Sequence, residues 1–376
     1  MKIAFTNDGA YAYALSISTG AGGAERYQWL LARAQAAAGW AVTIGVRDGL
    51  RAGERRVLDG VEFVGIGGCQ ILLAWYRFLS LERPDWWYWQ CADHMWGPAV
   101  EIARLLNVRT IFSAAVDRDV RPIKALFRRP YCWPLYAWGL FRCNKIFVQH
   151  QKQLASLPFC FRSKASILPG VVSVTHLAKP HPVRGNYVAW IAMLRQVKRP
   201  DLLIEIARAL PQISFVVCGG PTTFFAQPGY GERIVSEFRS IPNIVYRGLV
   251  APAEALEIIK CAAMLLSTSD EEGFPSTFVE AWSAGTPVIS LKLDPDRVIE
   301  RYGLGAVPGS LSSTIEAISD LVASAERRET IGILARQYVA ENHSATAALS
   351  AFEEGIRQVT QVPLGKPVLQ DKTRKI

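Results

Sequence analysis

Short apolar runs alternate with longer amphipathic stretches along nearly the whole chain, the pattern of parallel strands joined by covering helices. Lys2–Thr6 reads as the first strand. The turn Gly20-Ala21-Gly22-Gly23 opens a helix from Ala24 to Ala38, Gly39 caps it, and Ala41–Val46 is the next strand. Asp85–Gln90, Thr110–Ser113 and Lys145–Gln149 are further strand candidates, with a helix at Gly97–Leu106. Breakers then cluster at Pro169-Gly170, Lys179-Pro180-His181-Pro182 and Arg184-Gly185-Asn186. A second set follows, with strands at Tyr187–Ala192, Ile213–Cys218, Ile244–Tyr246, Met264–Ser267 and Val288–Leu291. Its helices fall at Pro200–Leu210 and Ala253–Cys261, and the pattern is helical from Ser312 to a frayed tail at Gly365–Ile376. Two successive α/β sets predict two Rossmann-like domains, with ligand at the carboxyl ends of the strands. The spans drawn from this are 1–178, 179–345 and a last helix and tail at 346–376.

Length and composition agree with two domains: 376 residues exceed one ordinary core, and 50% hydrophobic against 20% charged lets both halves bury one. No run approaches the ~18 apolar residues of a membrane-crossing helix, and the N-terminus lacks the apolar core of a secretory signal. Cys69, Cys91, Cys132, Cys143, Cys160, Cys218 and Cys261 include no C-x-x-C pair. They read as small buried hydrophobes in a reducing cytoplasm, not as a disulfide framework or a zinc site.

Charge changes the picture in one place. The net charge is +9, and ten cations between Arg118 and Lys164 face a single acid, Asp119. Inside that stretch lies an uncharged aromatic run, Pro130–Phe141. Such a segment suits an anionic membrane surface or an anionic acceptor, which would make the protein peripheral to a membrane. It equally suits a buried helix with cationic ends. Nucleic acid is not expected, because no binding motif accompanies the charge.

Candidate chemistry concentrates in Glu271-Glu272-Gly273-Phe274-Pro275-Ser276-Thr277-Phe278-Val279-Glu280. A strand runs out to a polar tip, Gly273 permits close backbone approach, and Ser276 is placed to cap a helix that Gly285 and Pro287 end. The N–H groups at such a helix start form a ready diphosphate site. Glu272 just before the helix and Glu280 about one turn inside can accept from hydroxyls on either side of that anion. The plain alternative makes Glu280 a dipole partner and Glu272 a solvated loop acid.

Glu272 and Glu280 stand at the spacing of the E-x7-E motif, and the surrounding residues resemble the GT4-like group of retaining glycosyltransferases with the GT-B fold. Gly22-Gly23-Ala24-Glu25-Arg26, Lys198-Arg199-Pro200-Asp201, Val217-Cys218-Gly219-Gly220 and Val245-Tyr246-Arg247-Gly248-Leu249-Val250 extend the resemblance along the chain. It implies two facing domains, with the last helices crossing back to brace the first. It implies that Glu280 binds a ribose and Glu272 the transferred sugar. Gly273, Phe274, Pro275, Ser276 and Thr277 would receive the diphosphate and Lys198 would neutralise it, with Gly22 and Gly23 approaching as the cleft closes. Gly219, Leu249 and Val250 would frame the base. The donor is then a nucleoside-diphosphate sugar, with no cofactor and no metal, and the acceptor a glycan, polysaccharide or lipid-linked. Departing phosphate would take the acceptor proton.

The chain departs from the group in two places. Met193 stands where many relatives carry an arginine, and Arg195 is the expected replacement; no histidine follows Thr110–Ser113, where Asp117 or Asp119 could face the donor sugar or acceptor or equally be a surface acid. His94 and His150 read as structural. Asp117-Arg118-Asp119 and Asp294-Pro295-Asp296 both spell D-x-D, too short a pattern to argue for a metal. Three rivals stay open: an epimerase on the same fold, a non-catalytic nucleotide-binding subunit, and a dehydrogenase with Asp48 on the ribose.

Overall fold

The computed structural model describes residues 1–17, 22–68, 70–126, 129–172, 185–222 and 227–360. Gly20 and Ala21 of the first turn, the boundary drawn at 178/179 and the tail from Gly365 lie outside the described residues.

The first sheet holds β1 (Lys2–Thr6), β2 (Ala41–Val46), β3 (Arg55–Leu58), β4 (Val61–Gly65), β5 (Trp86–Gln90), β6 (Arg109–Ser113), β7 (Lys145–Val148) and β8 (Ala165–Ile167). Its order is β3-β4-β2-β1-β5-β6-β7-β8, and all neighbours run parallel except β3 with β4. The second sheet holds β9 (Tyr187–Ile191), β10 (Ser214–Cys218), β11 (Ile244–Gly248), β12 (Met264–Ser267), β13 (Val288–Ser290) and β14 (Gly305–Ala306). Its order, β11-β10-β9-β12-β13-β14, is the doubly wound one, reversing between β9 and β12. The central strands are apolar on both faces because helices cover both sides.

The helix Ala325–Asn342 packs on the helix Ser276–Ser283, after which the chain returns to the first sheet. There, in the helix Ala345–Thr360, Phe352 meets the rings of Trp40, Tyr88 and Phe147 at 5.7, 6.4 and 5.1 Å. His343 marks the crossing: it lies 2.9 Å from the Gly170 carbonyl of the first domain and 5.1 Å from the Phe274 ring. Burial lowers its pKa to about 4, so the imidazole is neutral.

Tryptophans serve mainly as core: Trp29, Trp75, Trp86, Trp87 and Trp96 are buried, and Trp75, Trp87 and Trp89 meet edge to face. The expectation that Ser276 caps its helix is corrected. Pro275 occupies the cap position without a side-chain bond, and Ser276 is the first helical residue.

Candidate functional site

The reversal between β9 and β12 opens a crevice at their carboxyl ends, and the two loops there are tied together. The Thr268 hydroxyl donates to the Lys198 carbonyl at 2.7 Å and accepts from Trp190 Nε1 at 3.0 Å. The Asp270 N–H donates to the Val197 carbonyl at 2.8 Å, and Arg199 bridges Asp201 and Asp270. On this frame Lys198 forms an ion pair with Glu272, both side chains 17% exposed. Arg195 is half-buried beside them. Burial lowers its pKa, Glu272 opposing, and its Nε has no acceptor among the described residues. Arg118, from the first domain, lies within its electrostatic reach and pairs with Glu271 at 3.3 Å. Three cations therefore gather around the Glu271-Glu272 pair that leads into the helix Ser276–Ser283, whose Ser276 and Thr277 N–H groups have no helical acceptor.

The first domain closes over that turn. The Phe274 N–H donates to Gln149 Oε1 at 2.7 Å, from the loop after β7. Gly273 sits so near Gln149 and the Ala115 carbonyl that a Cβ would collide with both. Ser276 Oγ faces Gly23, at the start of the helix Gly23–Ala37, where the Gly22 N–H donates to Glu25 Oε2 at 2.8 Å.

Glu280 points across the interface and pairs with Arg26 at 2.6 Å, the two side chains only 12% and 11% exposed. Burial raises the Glu280 pKa and Arg26 opposes it. Tyr13 leans on the same pair and is pushed up to about 12, first by burial. Two strands from β12, the Gly219 carbonyl at the end of β10 accepts from the Tyr246 hydroxyl at 2.8 Å. Beyond it Leu249 packs over Gly220 while remaining 45% exposed, with Val250 half-buried beside it.

The expected sugar contacts on the first domain are differently employed. Asp119 is buried and accepts the Ala115 and Val116 N–H groups at 2.8 and 3.2 Å; burial raises its pKa to about 6. Asp117 lies 2.9 Å from His150 Nε2 and accepts from Gln153 Nε2 at 3.1 Å. Although burial pulls its pKa up, His150 and Gln153 hold it below the ordinary value. Asp294 caps the N–H groups of Ile299 and Glu300 at 2.8 and 3.1 Å, and Asp296 accepts the Gln151 N–H at 2.7 Å across the interface. His94 contacts Arg129 at 2.7 Å.

Sequence reasoning missed Arg26, Gln149, Arg118 and Tyr13. Arg26 was visible in the quoted Gly22-Gly23-Ala24-Glu25-Arg26 turn, but nothing local says that its partner lies in another domain. It also missed a cavity of about 330 Å³ at the carboxyl ends of β1, β2, β4 and β5. Asn7, Asp8, Arg47, Trp75, Trp89 and Asp93 line it, and Arg47 is tied to Asp8.

This geometry defines a class: two facing Rossmann-like domains of GT-B type, with an anion-ready crevice on the second. Residues 185–324, just over a third of the chain, match the family described as Glycosyl transferases group 1. Proteins named D-inositol 3-phosphate glycosyltransferase are similar. The one from Mycobacterium leprae is 28% identical over 137 residues, 36% of this chain and 32% of the relative. The one from Mycolicibacterium smegmatis is 23% identical over 217 residues, 54% and 48%. The matches thus span less than half the length of these relatives. Among solved structures, sucrose-phosphate synthase from Thermosynechococcus elongatus superposes with a TM-score of 0.77 at 15% identity, covering 96% of this chain and 99% of that one. Anabaena HepE in complex with UDP and glucose gives 0.70 at 14%, covering 95% and 99%. Identities this low bear on the fold alone. No helix among the described residues is long and apolar enough to cross a membrane.

Proposed function

We propose that this protein transfers a sugar from a nucleoside-diphosphate sugar to a hydroxyl of a glycan acceptor, with retention and without a divalent ion. The gathering of Lys198, Arg195 and Arg118 around the acidic loop that leads into one helix N-terminus carries the reading, because it suits a diphosphate that gains charge as the glycosidic bond breaks. In this reading Lys198 moves from Glu272 to the diphosphate, Glu272 then accepts from sugar hydroxyls, and Glu280 accepts from the ribose. Gly219, Leu249 and Val250 would border the base. Departing phosphate takes the proton of the attacking hydroxyl, so no side chain need act as base.

The cavity on the first domain would seat the acceptor. The half-buried Trp89 offers an aromatic surface to a sugar ring, and Asp93 offers an acceptor to its hydroxyls. Its cation, Arg47, is already committed to Asp8, which favours an uncharged sugar over a phosphorylated one.

The test is calorimetric titration with UDP, GDP and ADP, no metal added, beside Glu280→Gln and Glu272→Gln. One diphosphate should bind saturably. Glu280→Gln should weaken it about 10- to 100-fold, the worth of a hydrogen bond to a charged group. Glu272→Gln should spare binding while lowering turnover about 100-fold or more. Unchanged affinity in Glu280→Gln would remove the ribose assignment, and silence toward all three diphosphates would remove the donor site.

A further inference from the structure

The basic aromatic segment is neither a buried helix nor part of the crevice. The helix Trp133–Arg142 is clamped on one face: Gly139 lies against Trp96, and Tyr136 and Leu140 are buried in the first-domain core. On its other face Leu135, Trp138 and Phe141 are 45%, 49% and 60% exposed, and Tyr131 just ahead is 77% exposed. These positions fall on one stripe at helical spacing. Ile123 and Phe159, 69% and 85% exposed, extend apolar surface onto the neighbouring segments. The clamp means that this surface cannot turn inward.

Cations surround the stripe. Arg121, Lys124, Arg129 and Arg162 are exposed. Arg162 donates to the Leu157 and Ala155 carbonyls, and Lys164 to those of Phe141 and Cys143, partners that carry no charge to cancel theirs. Glu101, at the edge, is taken by Arg142 at 3.0 Å and by Trp138 Nε1 at 2.8 Å. Aromatic side chains with polar handles, ringed by long cationic ones, match the boundary between lipid headgroups and acyl chains.

We propose that this face docks the protein on an anionic lipid bilayer, with Tyr131, Leu135, Trp138 and Phe141 entering the headgroup boundary and Arg121, Lys124, Arg129 and Arg162 over the phosphates. Charge complementarity selects the occupant: each basic side chain near an anionic surface strengthens partitioning by roughly a factor of five. The proposal is independent of the donor site.

The test is co-sedimentation of the full chain with vesicles of phosphatidylcholine containing 30% phosphatidylglycerol (~30 mol %, within the anionic range that recruits basic segments), and with pure phosphatidylcholine. Binding to the anionic vesicles should exceed that to the neutral ones about tenfold or more, and fall in high salt. Trp138→Ser with Phe141→Ser should lower it about tenfold or more, and Lys124→Glu with Arg121→Glu comparably. Melting temperature and diphosphate titration, run on the same variants, should not move. Equal partitioning of both vesicle types, or of wild type and variants, would overturn the proposal. So would no vesicle binding together with a dimer that Trp138→Ser abolishes, which would give the face to a second copy.

Discussion

Arg26→Met tests how the cleft is held shut. Arg26 and Glu280 meet at 2.6 Å with about nine-tenths of each side chain out of water. Removing one partner of such a pair leaves a buried charge and costs about 3–5 kcal/mol. The two residues belong to different domains, however, so opening the cleft rehydrates Glu280. Against opening stand other bonds across the interface. The neutral bond from Phe274 to Gln149 is worth about 1 kcal/mol, and the bond from Gln151 to the Asp296 carboxylate about 1.5–3. The half-exposed Arg118–Glu271 pair adds about 0–1 kcal/mol. The penalty is comparable to their sum, so Arg26→Met should bring open and closed forms to similar populations. Small-angle scattering should report a larger radius of gyration than in the wild type. Arg26→Met with Glu280→Gln, which removes the orphaned charge, should return toward the closed value. A single variant with the wild-type scattering curve and an unchanged melting temperature would refute the reasoning.

Two further outcomes follow from the same interface. His343 is buried and neutral, its pKa lowered by burial from 6.5 to about 4. The unfolded chain therefore takes up that proton first as pH falls. Stability is full above pH 6.5, declines between 6.5 and 4 by about 3 kcal/mol, and loses nothing more from this group below 4. Denaturation midpoints of His343→Asn should fall less steeply from pH 7 to 4.5 than those of the wild type; parallel slopes would sink the assignment. Gly273→Ala should leave the second domain folded, because the colliding atoms belong to Gln149 and Ala115 of the first. It should hold the domains apart and lower kcat/KM about 100-fold, the scale of a misplacement near 1 Å, with little change in melting temperature. A Gly273→Ala enzyme with wild-type turnover would mean that closure does not need this contact.

Where burial is strong on both faces, the strands were legible to within a residue or two, as at Lys2–Thr6, Ala41–Val46 and Met264–Ser267. The hairpin β3–β4 was missed, although Asp59-Gly60 between apolar runs is a hairpin signal and both residues take the positive φ, 47° and 79°, that a tight turn needs. Arg55, Arg56 and Val57 are exposed, so this edge strand lacks the continuous apolar run by which the others were found. β14 has only two residues and no pattern to read. At the site, Lys198, Arg195 and Glu272 were legible because the order of strands puts two loop tips together whatever the domains do. Arg26 against Glu280 and Gln149 against Phe274 were not, because each pairing depends on how two separately patterned domains dock. Asp119 misled for a related reason: an acid after a strand reads as offered to ligand, while here it turns back onto its own loop.

The motif charges of the cleft are paired with one another, and this bears on how a donor would be recognised. Lys198 rests on Glu272 and Arg26 on Glu280, so neither carboxylate waits unpaired in a low-dielectric space, where it would be costly. Binding in the proposed reading is then largely an exchange: diphosphate for Glu272 at Lys198, ribose hydroxyls for Arg26 at Glu280. Further donors stand beside that exchange: Arg195 Nε, which has no acceptor among the described residues, and the Ser276 and Thr277 N–H groups at the start of the helix Ser276–Ser283. Both are donors, and an anion satisfies them with stronger, charge-assisted bonds than a neutral hydroxyl does. In the proposed reading the diphosphate adds charge-assisted bonds to that exchange, while Glu272 and Glu280 contact what is attached at its two ends.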